Sequence, residues 1–190
     1  MNRIAIFASG EGTNAQRFID YFKNSKDIQI ILIVTNSAKA NVIERAKKVG
    51  IPYLLIDRDT FYNTDKIVDE LKQKADFIVL AGFMWMVPEN LIRAFNGKMV
   101  NVHPALLPSY GGKGMYGKYV HEAVIKNKEK KSGITIHFVN EHYDEGKIIF
   151  QQECSVEASD TPETLANKIH KLEHENYPIV VEKLLHKNIS

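Results

Sequence analysis

The sequence predicts an α/β fold: a single-domain, Rossmann-like, mostly parallel sheet, with a C-terminal antiparallel strand pair and a long C-terminal helix. Three observations predict it. Short β-rich apolar runs alternate with helical stripes through the first half of the chain. "IQIILIV" (Ile28 to Val34) is apolar almost throughout, as a strand buried on both faces should be. Later, "GITIHFV" (Gly133 to Val139) and "KIIFQQECSV" (Lys147 to Val156) alternate apolar and polar residues, as half-exposed strands do.

The elements follow in order. "RIAIFA" (Arg3 to Ala8) is a strand that ends in "SGEGTN". Ala15, Phe18, Ile19 and Phe22 recur at helical spacing. After the Ile28–Val34 strand, "ANVIERAKKVG" reads as a helix closed by Gly50, and "PYLLI" as a short strand. Ile67, Val68 and Leu71 mark a helix, and "DFIVLAGF" (Asp76 to Phe83) a strong strand. "PENLIRAF" opens a helix with Pro88 as its first residue, and "KMVNVH" is a fifth strand. Val120 to Lys126 is helical, and "KNKEKKS" is its solvated end. "NEHYDEG" joins the two late strands. The C-terminal helix starts near Pro162 with Thr161 and Thr164 as caps, and Pro178 kinks or splits it. A cis bond is expected before Pro108.

The 190 residues carry 44% hydrophobic and 25% charged side chains, a balance that suits a globular chain with a sizeable core. A formal net charge of +2 argues against a nucleic-acid binder, which needs a concentrated basic patch. The single cysteine, Cys154, excludes an intrachain disulfide and a cysteine-rich metal site. The apolar run near the N-terminus is too short for a signal peptide, and Ile78 to Val87 is about half of a membrane span of ~20 residues. A cytoplasmic protein without membrane contact is therefore expected. We find no repeat, linker or low-complexity tract, so one domain over 1–190 is expected.

Ligands of open α/β sheets sit outside the carboxyl ends of the strands. Three of those ends carry unusual chemistry: "SGEGTN", "AGFMWM" and "NVHP", with the turn "HYDEG" a fourth candidate. Gly10-Glu11-Gly12-Thr13-Asn14-Ala15 fits G-x-G-x-x-A, but the acid that a dinucleotide ribose wants after the second strand is missing from "VTNSAKA". A single phosphate at Gly12, Thr13 and Asn14 fits better, and a tight turn that binds nothing is the alternative. "HKLEH" (His170 to His174) has the spacing of an inverted zinc-protease motif but no further ligand, so no metal is expected. His170 and Glu173 then either form a polar helix face or point toward a polar ligand.

Asn101 and His103, two apart on a strand, point to the same side. An amide beside a histidine suits a carbonyl that becomes a tetrahedral oxyanion, and the histidine can move protons near neutral pH. Asp144 is the candidate carboxylate that would keep it charged. No activated serine or cysteine nucleophile is evident, so direct attack by an amine or water is the indicated chemistry. His137 is more often structural than catalytic in such a strand position, but its strand runs into "HYDEG".

"FASGEGTN", "VLAGFM", "NVHPALLPSYGG", "ITIHFVNEHYDEGKII" and "EHENYP", in order from about Ile4 to Leu185, resemble the phosphoribosylglycinamide formyltransferases, a branch of the folate-dependent formyltransferase superfamily. The resemblance implies a transferase of purine biosynthesis and one-carbon metabolism, with 10-formyltetrahydrofolate as co-substrate and no metal. Its N-terminal half, about 1–100, would bind the ribonucleotide phosphate through Gly12, Thr13 and Asn14. Its second half, about 101–190, would carry the catalytic trio Asn101, His103 and Asp144 and bind folate. Met84, Trp85, Met86 and Val87, with Asn101 and with Asn140, Glu141, His142, Tyr143 and Asp144, would line the folate pocket, and Arg58 would lie near the folate tail. His170 and Glu173 would touch the ribonucleotide. Trp85 stands where many members have arginine, so a polar folate contact is expected to be lost or replaced by stacking or by a backbone contact, and His170 stands where glutamine is common, so Glu173 is the firmer ribonucleotide contact of the two. The "GGKGMYGKYV" segment is longer than in common members and is expected to act as a flap. The expected partners are phosphoribosylglycinamide and formylfolate, with the chain a monomer or weak homodimer. A formyltetrahydrofolate hydrolase and a non-catalytic nucleotide-binding α/β module are the alternatives.

Overall fold

The computed structural model describes residues 1–187. The chain forms two compact units, Met1–Val100 and Asn101–Ser190, and the boundary falls inside strand β5 (Met99–His103).

The first unit runs β1 (Asn2–Phe7), α1 (Thr13–Phe22), β2 (Ile28–Thr35), α2 (Val42–Lys48), β3 (Tyr53–Leu55), α3 (Arg58–Asn63), α4 (Lys66–Lys74), β4 (Phe77–Leu80) and α5 (Glu89–Ala94), then enters β5. Its strands lie in the order β3-β2-β1-β4-β5. The β1–β2, β1–β4 and β2–β3 pairs are parallel, as helical crossovers between successive strands require. Ile4 to Phe7 of β1 are fully buried, as an inner strand of a parallel sheet, paired with β2 and β4, should be. Phe18, Phe61, Leu71 and Phe77 complete this core, each side chain contributing roughly 2 kcal/mol of transfer free energy. Phe7 is in register with both Val34 and Leu80, so the loops after β1, β2 and β4 leave the sheet at one edge.

The second unit takes β5 onward to α6 (Lys118–Lys126), β6 (Lys131–Phe138), β7 (Ile148–Ser155) and α7 (Pro162–Lys187), with strand order β5-β6-β7. β6 and β7 are the predicted antiparallel pair, from Lys131↔Ser155 to His137↔Ile148, with a register shift between Ile136 and His137. The pair packs closely at Gly133, where a Cβ would lie 2.1 Å from the Gln152 carbonyl oxygen. The long helix α7 lies against α6, β6 and β7 through a buried stripe of Leu165, Ile169, Tyr177 and Val181.

Most predicted elements are present, and the differences have physical causes. Pro178 does not split α7, which is helical from Pro162 to Lys187. Proline removes one helical N–H at a cost of about 3 kcal/mol, and here the ring is buried beside Tyr177, Val180 and Val181, which offsets it. Pro88 is the N-cap of α5 rather than its first residue, with extended backbone at φ −72° and ψ 151°. Helix α3 has only Phe61 buried, so no apolar period announces it. Its start rests instead on Asp57, whose side chain accepts the Thr60 N–H at 2.9 Å. Thr161 and Thr164 cap α7 reciprocally: Thr164 N–H donates to Thr161 Oγ1 at 3.3 Å and Thr161 N–H to Thr164 Oγ1 at 2.9 Å. The Leu107–Pro108 bond is cis.

Candidate active site

In the first unit, the glycine loop turns β1 into α1. Gly12 is the N-cap in the left-handed region, at φ 67°. A Cβ there would lie 2.6 Å from Val42 Cβ, so both backbone angle and space call for glycine. The loop carbonyls are held by the protein: Gly10 O accepts Val42 N–H at 3.2 Å, Glu11 O accepts Arg45 Nε–H at 2.7 Å, and Gly12 O accepts Gln16 N–H at 2.9 Å. Asn41 Nδ2 donates to the Glu11 carboxylate at 2.8 Å. Thr13 is exposed and Asn14 is buried at the start of α1, whose first turn holds no acidic residue. That arrangement can accept an anion at the helix N-terminus.

Ser9 ties this loop to the segment after β4. Its N–H donates to Gly82 O at 3.1 Å, and its hydroxyl accepts the Met84 N–H at 2.8 Å. Met84 and Met86 are exposed, whereas Val87 is buried. Trp85 packs against Phe61, Tyr62 and Phe83 at centroid distances of 5.8, 6.0 and 6.4 Å. The Arg58 guanidinium lies 5.2 Å from the Trp85 ring centre, a cation–π pair, and Tyr62 Oη–H donates to Met86 O at 3.0 Å. The Trp85 ring meets Phe61, Tyr62 and Phe83 at tilted or edge angles, with interplanar angles of 42°, 35° and 64°.

In the second unit, the structure brings Asn101, His103, His137 and Asp144 together. His103 is 3% exposed, and its Nε2 lies 2.7 Å from the Tyr110 carbonyl oxygen. A carbonyl can only accept, so Nε2 carries the proton. Its Nδ1 faces Asp144 Oδ2 at 3.5 Å. His137 Nδ1–H likewise donates to Phe138 O at 2.8 Å. Burial is the largest influence on His137 and holds its pKa below the usual histidine value, so the ring is neutral near pH 7. Its Nε2 lone pair therefore accepts from Asn101 Nδ2, 3.3 Å away. That bond leaves the second N–H of the Asn101 amide to another acceptor.

Asp144 is held on all sides. Its backbone is left-handed, at φ 57°, and its Oδ2 accepts the Gly112 N–H at 2.9 Å. Its Oδ1 lies 3.6 Å from His137 Nε2. The turn is set by Gly146, where a Cβ would lie 1.6 Å from Phe138 O. Before it, His142 N–H donates to Asn140 Oδ1 at 3.0 Å, and Glu141, His142 and Tyr143 are exposed. Thr135 and Gln151 fix the stretch after His103. Thr135 Oγ1–H donates to Ala105 O at 2.7 Å and accepts Leu107 N–H at 2.9 Å, while Gln151 Nε2 donates to Leu107 O at 2.9 Å.

Sequence reasoning missed Tyr110, Gly112, Thr135 and Gln151, whose roles run through backbone groups that no motif reports. On α7, His170 is exposed and Glu173 is 6% exposed. The His170 and His174 rings stack at 6.4 Å. His121 of α6 is 3% exposed, and burial first, then the charges of His170 and His103, pulls its pKa down to about 4. Among the described residues, no group of three or more His, Cys, Asp or Glu is placed to hold a metal ion, and no helix is long and apolar enough to cross a membrane.

The family model described as "Formyl transferase" matches residues 2–181. The chain is 39% identical to the phosphoribosylglycinamide formyltransferase, chloroplastic, of Arabidopsis thaliana, over 98% of this chain and 66% of that protein. It is 36% identical to the phosphoribosylglycinamide formyltransferase of Bacillus subtilis (strain 168), over 99% of this chain and 97% of that one. The crystal structure of phosphoribosylglycinamide formyltransferase from Bacillus halodurans superposes with a TM-score of 0.87 at 40% identity, covering 98% of this chain and 96% of that one. The chain thus spans just under two thirds of the Arabidopsis protein and almost the whole of the two bacterial ones. Matched across nearly all of its length, the chain belongs to the formyl transferase family.

Proposed function

We propose that this protein transfers the formyl group of 10-formyltetrahydrofolate to the amine of phosphoribosylglycinamide, a step of purine biosynthesis. The observation that carries the reading is the cluster of Asn101, His103 and Asp144 in a chain of this family, with an Asn101 amide that has a second N–H beyond the one given to His137 and a carboxylate facing His103 Nδ1 at 3.5 Å.

The amine nitrogen attacks the formyl carbon, and the carbonyl electron pair moves to oxygen. The second Asn101 N–H donates to that oxyanion, an interaction stronger in the transition state than in the ground state. The proton on the new ammonium centre passes to His103 Nδ1, directly or through Asp144 and water. His103, now an imidazolium beside the oxyanion, returns it to the departing folate nitrogen as the carbon–nitrogen bond breaks. No covalent enzyme intermediate is required.

In the same reading, Gly12, Thr13 and Asn14 hold the substrate phosphate at the N-terminus of α1. Arg58 and Met84 to Val87 contact the folate, together with Asn101 and Asn140 to Asp144, and His170 and Glu173 contact the ribonucleotide. The protein works in the cytoplasm on small molecules alone, as a monomer or weak homodimer.

The test is deformylation of formyltetrahydrofolate with and without phosphoribosylglycinamide. Deformylation that requires the amine and yields one formyl amide per folate supports transfer. Deformylation indifferent to the amine indicates a hydrolase, and none at all indicates a binding module.

A further inference from the structure

We infer that Tyr110 is a positioning residue whose phenol anchors the loop that sets the ring orientation and tautomer of His103. The proposal rests on the transferase reading of this site for its kinetic consequence only. Three sets of hydrogen bonds carry it, all within the second unit. The Tyr110 hydroxyl donates to Glu129 Oε1 at 2.7 Å and accepts from Asn127 Nδ2 at 2.9 Å, both in the turn between α6 and β6. The Tyr110 carbonyl accepts the His103 Nε2–H at 2.7 Å. Two residues on, the Gly112 N–H donates to Asp144 Oδ2 at 2.9 Å.

The backbone explains why an anchor is needed. Tyr110 sits at φ 57°, a region that a bulky side chain rarely occupies without outside support. In that conformation its carbonyl meets His103 Nε2 while the Gly112 N–H reaches Asp144 Oδ2. The approach is tight: a Cβ at Gly111 would lie 2.6 Å from Leu107 Cδ2 and 3.3 Å from Asp144 Cβ. The phenol is tied to a turn outside the site, so one side chain holds a backbone shape whose two neighbouring polar groups grip the histidine and the carboxylate.

The chemical consequence is specific. With Nε2–H committed to a carbonyl, Nδ1 is the nitrogen that exchanges protons, and it is the one facing Asp144. Without the anchor, the loop relaxes, the Tyr110 carbonyl turns away, and the ring samples the other tautomer.

The experiment uses the full chain labelled with ¹⁵N-histidine, with His103→Gln to assign the signal. Long-range ¹H–¹⁵N spectra read the ring tautomer without any substrate, so this arm stands whether or not the transferase reading holds. The wild type is expected to show the Nε2–H form, and Tyr110→Phe and Glu129→Ala a mixture. Glu129→Gln, which keeps an acceptor oxygen, is expected to restore the wild-type signal. In the transfer assay, Tyr110→Phe is expected to lower kcat about tenfold with both KM values nearly unchanged, as misplacement of a reacting group does. An Nδ1–H tautomer in the wild type, or an unchanged tautomer in both Tyr110→Phe and Glu129→Ala, would overturn the proposal. So would a kcat loss that follows lowered thermal stability while the tautomer stays put. Should Tyr110→Phe fail to fold, Glu129→Ala decides alone.

Discussion

Asn101 Nδ2 donates to His137 Nε2 across 3.3 Å, and the opposite ring nitrogen of His137 is locked to the Phe138 carbonyl at 2.8 Å. The backbone of β6 thus orients the amide on β5. Replacing His137 with leucine removes the acceptor and lets the amide rotate. We expect kcat to fall about tenfold, with the ribonucleotide KM changed far less, because an oxyanion donor is misaimed while the groups that bind the ribonucleotide stay in place. Steady-state kinetics at saturating folate check this; an unchanged kcat refutes the orienting role.

His103→Ala and Asp144→Asn bear on the proton route. Each is expected to lower kcat by about 10²–10⁴, the usual range for a positioned acid–base group, and to weaken ribonucleotide binding much less. Calorimetric titration with the ribonucleotide, set beside turnover, separates the two effects. Turnover close to wild type in either variant removes that residue from the mechanism.

How far the sequence disclosed this site depends on the kind of group. Asn101 and His103 could be placed on one side of a strand because strand side chains alternate, and the apolar run before them located that strand. Asp144 lies 41 positions after His103, a separation that no local period spans; its place in the turn between the two late strands made it a candidate carboxylate, and the resemblance to a family pattern added the catalytic role. Tyr110 was in plain view within "LPSYGG", but its φ of 57° and its carbonyl direction depend on Glu129 and Asn127, which lie beyond α6. The same holds for α3, whose start depends on one side-chain cap at Asp57, and for Pro178, whose burial in α7 outweighs its local preference. Elements set by periodicity were legible, whereas geometry set by distant hydrogen bonds was not.

The glycine loop gives a prediction with separate stability and binding parts. Gly12→Ala forces a Cβ to within 2.6 Å of Val42 and strains a left-handed backbone, so we expect a loss of roughly 1–3 kcal/mol in urea unfolding. Thr13→Ala combined with Asn14→Ala should instead raise the KM of the phosphorylated substrate and leave folate affinity intact. A fall in folate affinity alone would place the phosphate elsewhere.

His121 adds an acid-sensitive element. Its pKa is about 4 in the folded chain against 6.5 when unfolded, so between those values the unfolded state binds more protons. Stability is therefore complete above about pH 6.5 and is lost as pH falls toward 4, by up to about 3 kcal/mol from this group. His121→Asn should flatten that part of the stability–pH curve measured by urea unfolding. A variant with the same slope as wild type shows that His121 is not its source.

Direct transfer of a formyl group to an amine at Asn101, His103 and Asp144 separates this chemistry from hydrolysis. Its most direct test follows ¹³C-formyl tetrahydrofolate by NMR in the presence of phosphoribosylglycinamide. The label is expected to move from the folate to the amide product without free formate, and His103→Ala to slow that transfer by about 10²–10⁴. Label appearing as formate, at a rate that does not depend on the amine, would contradict it.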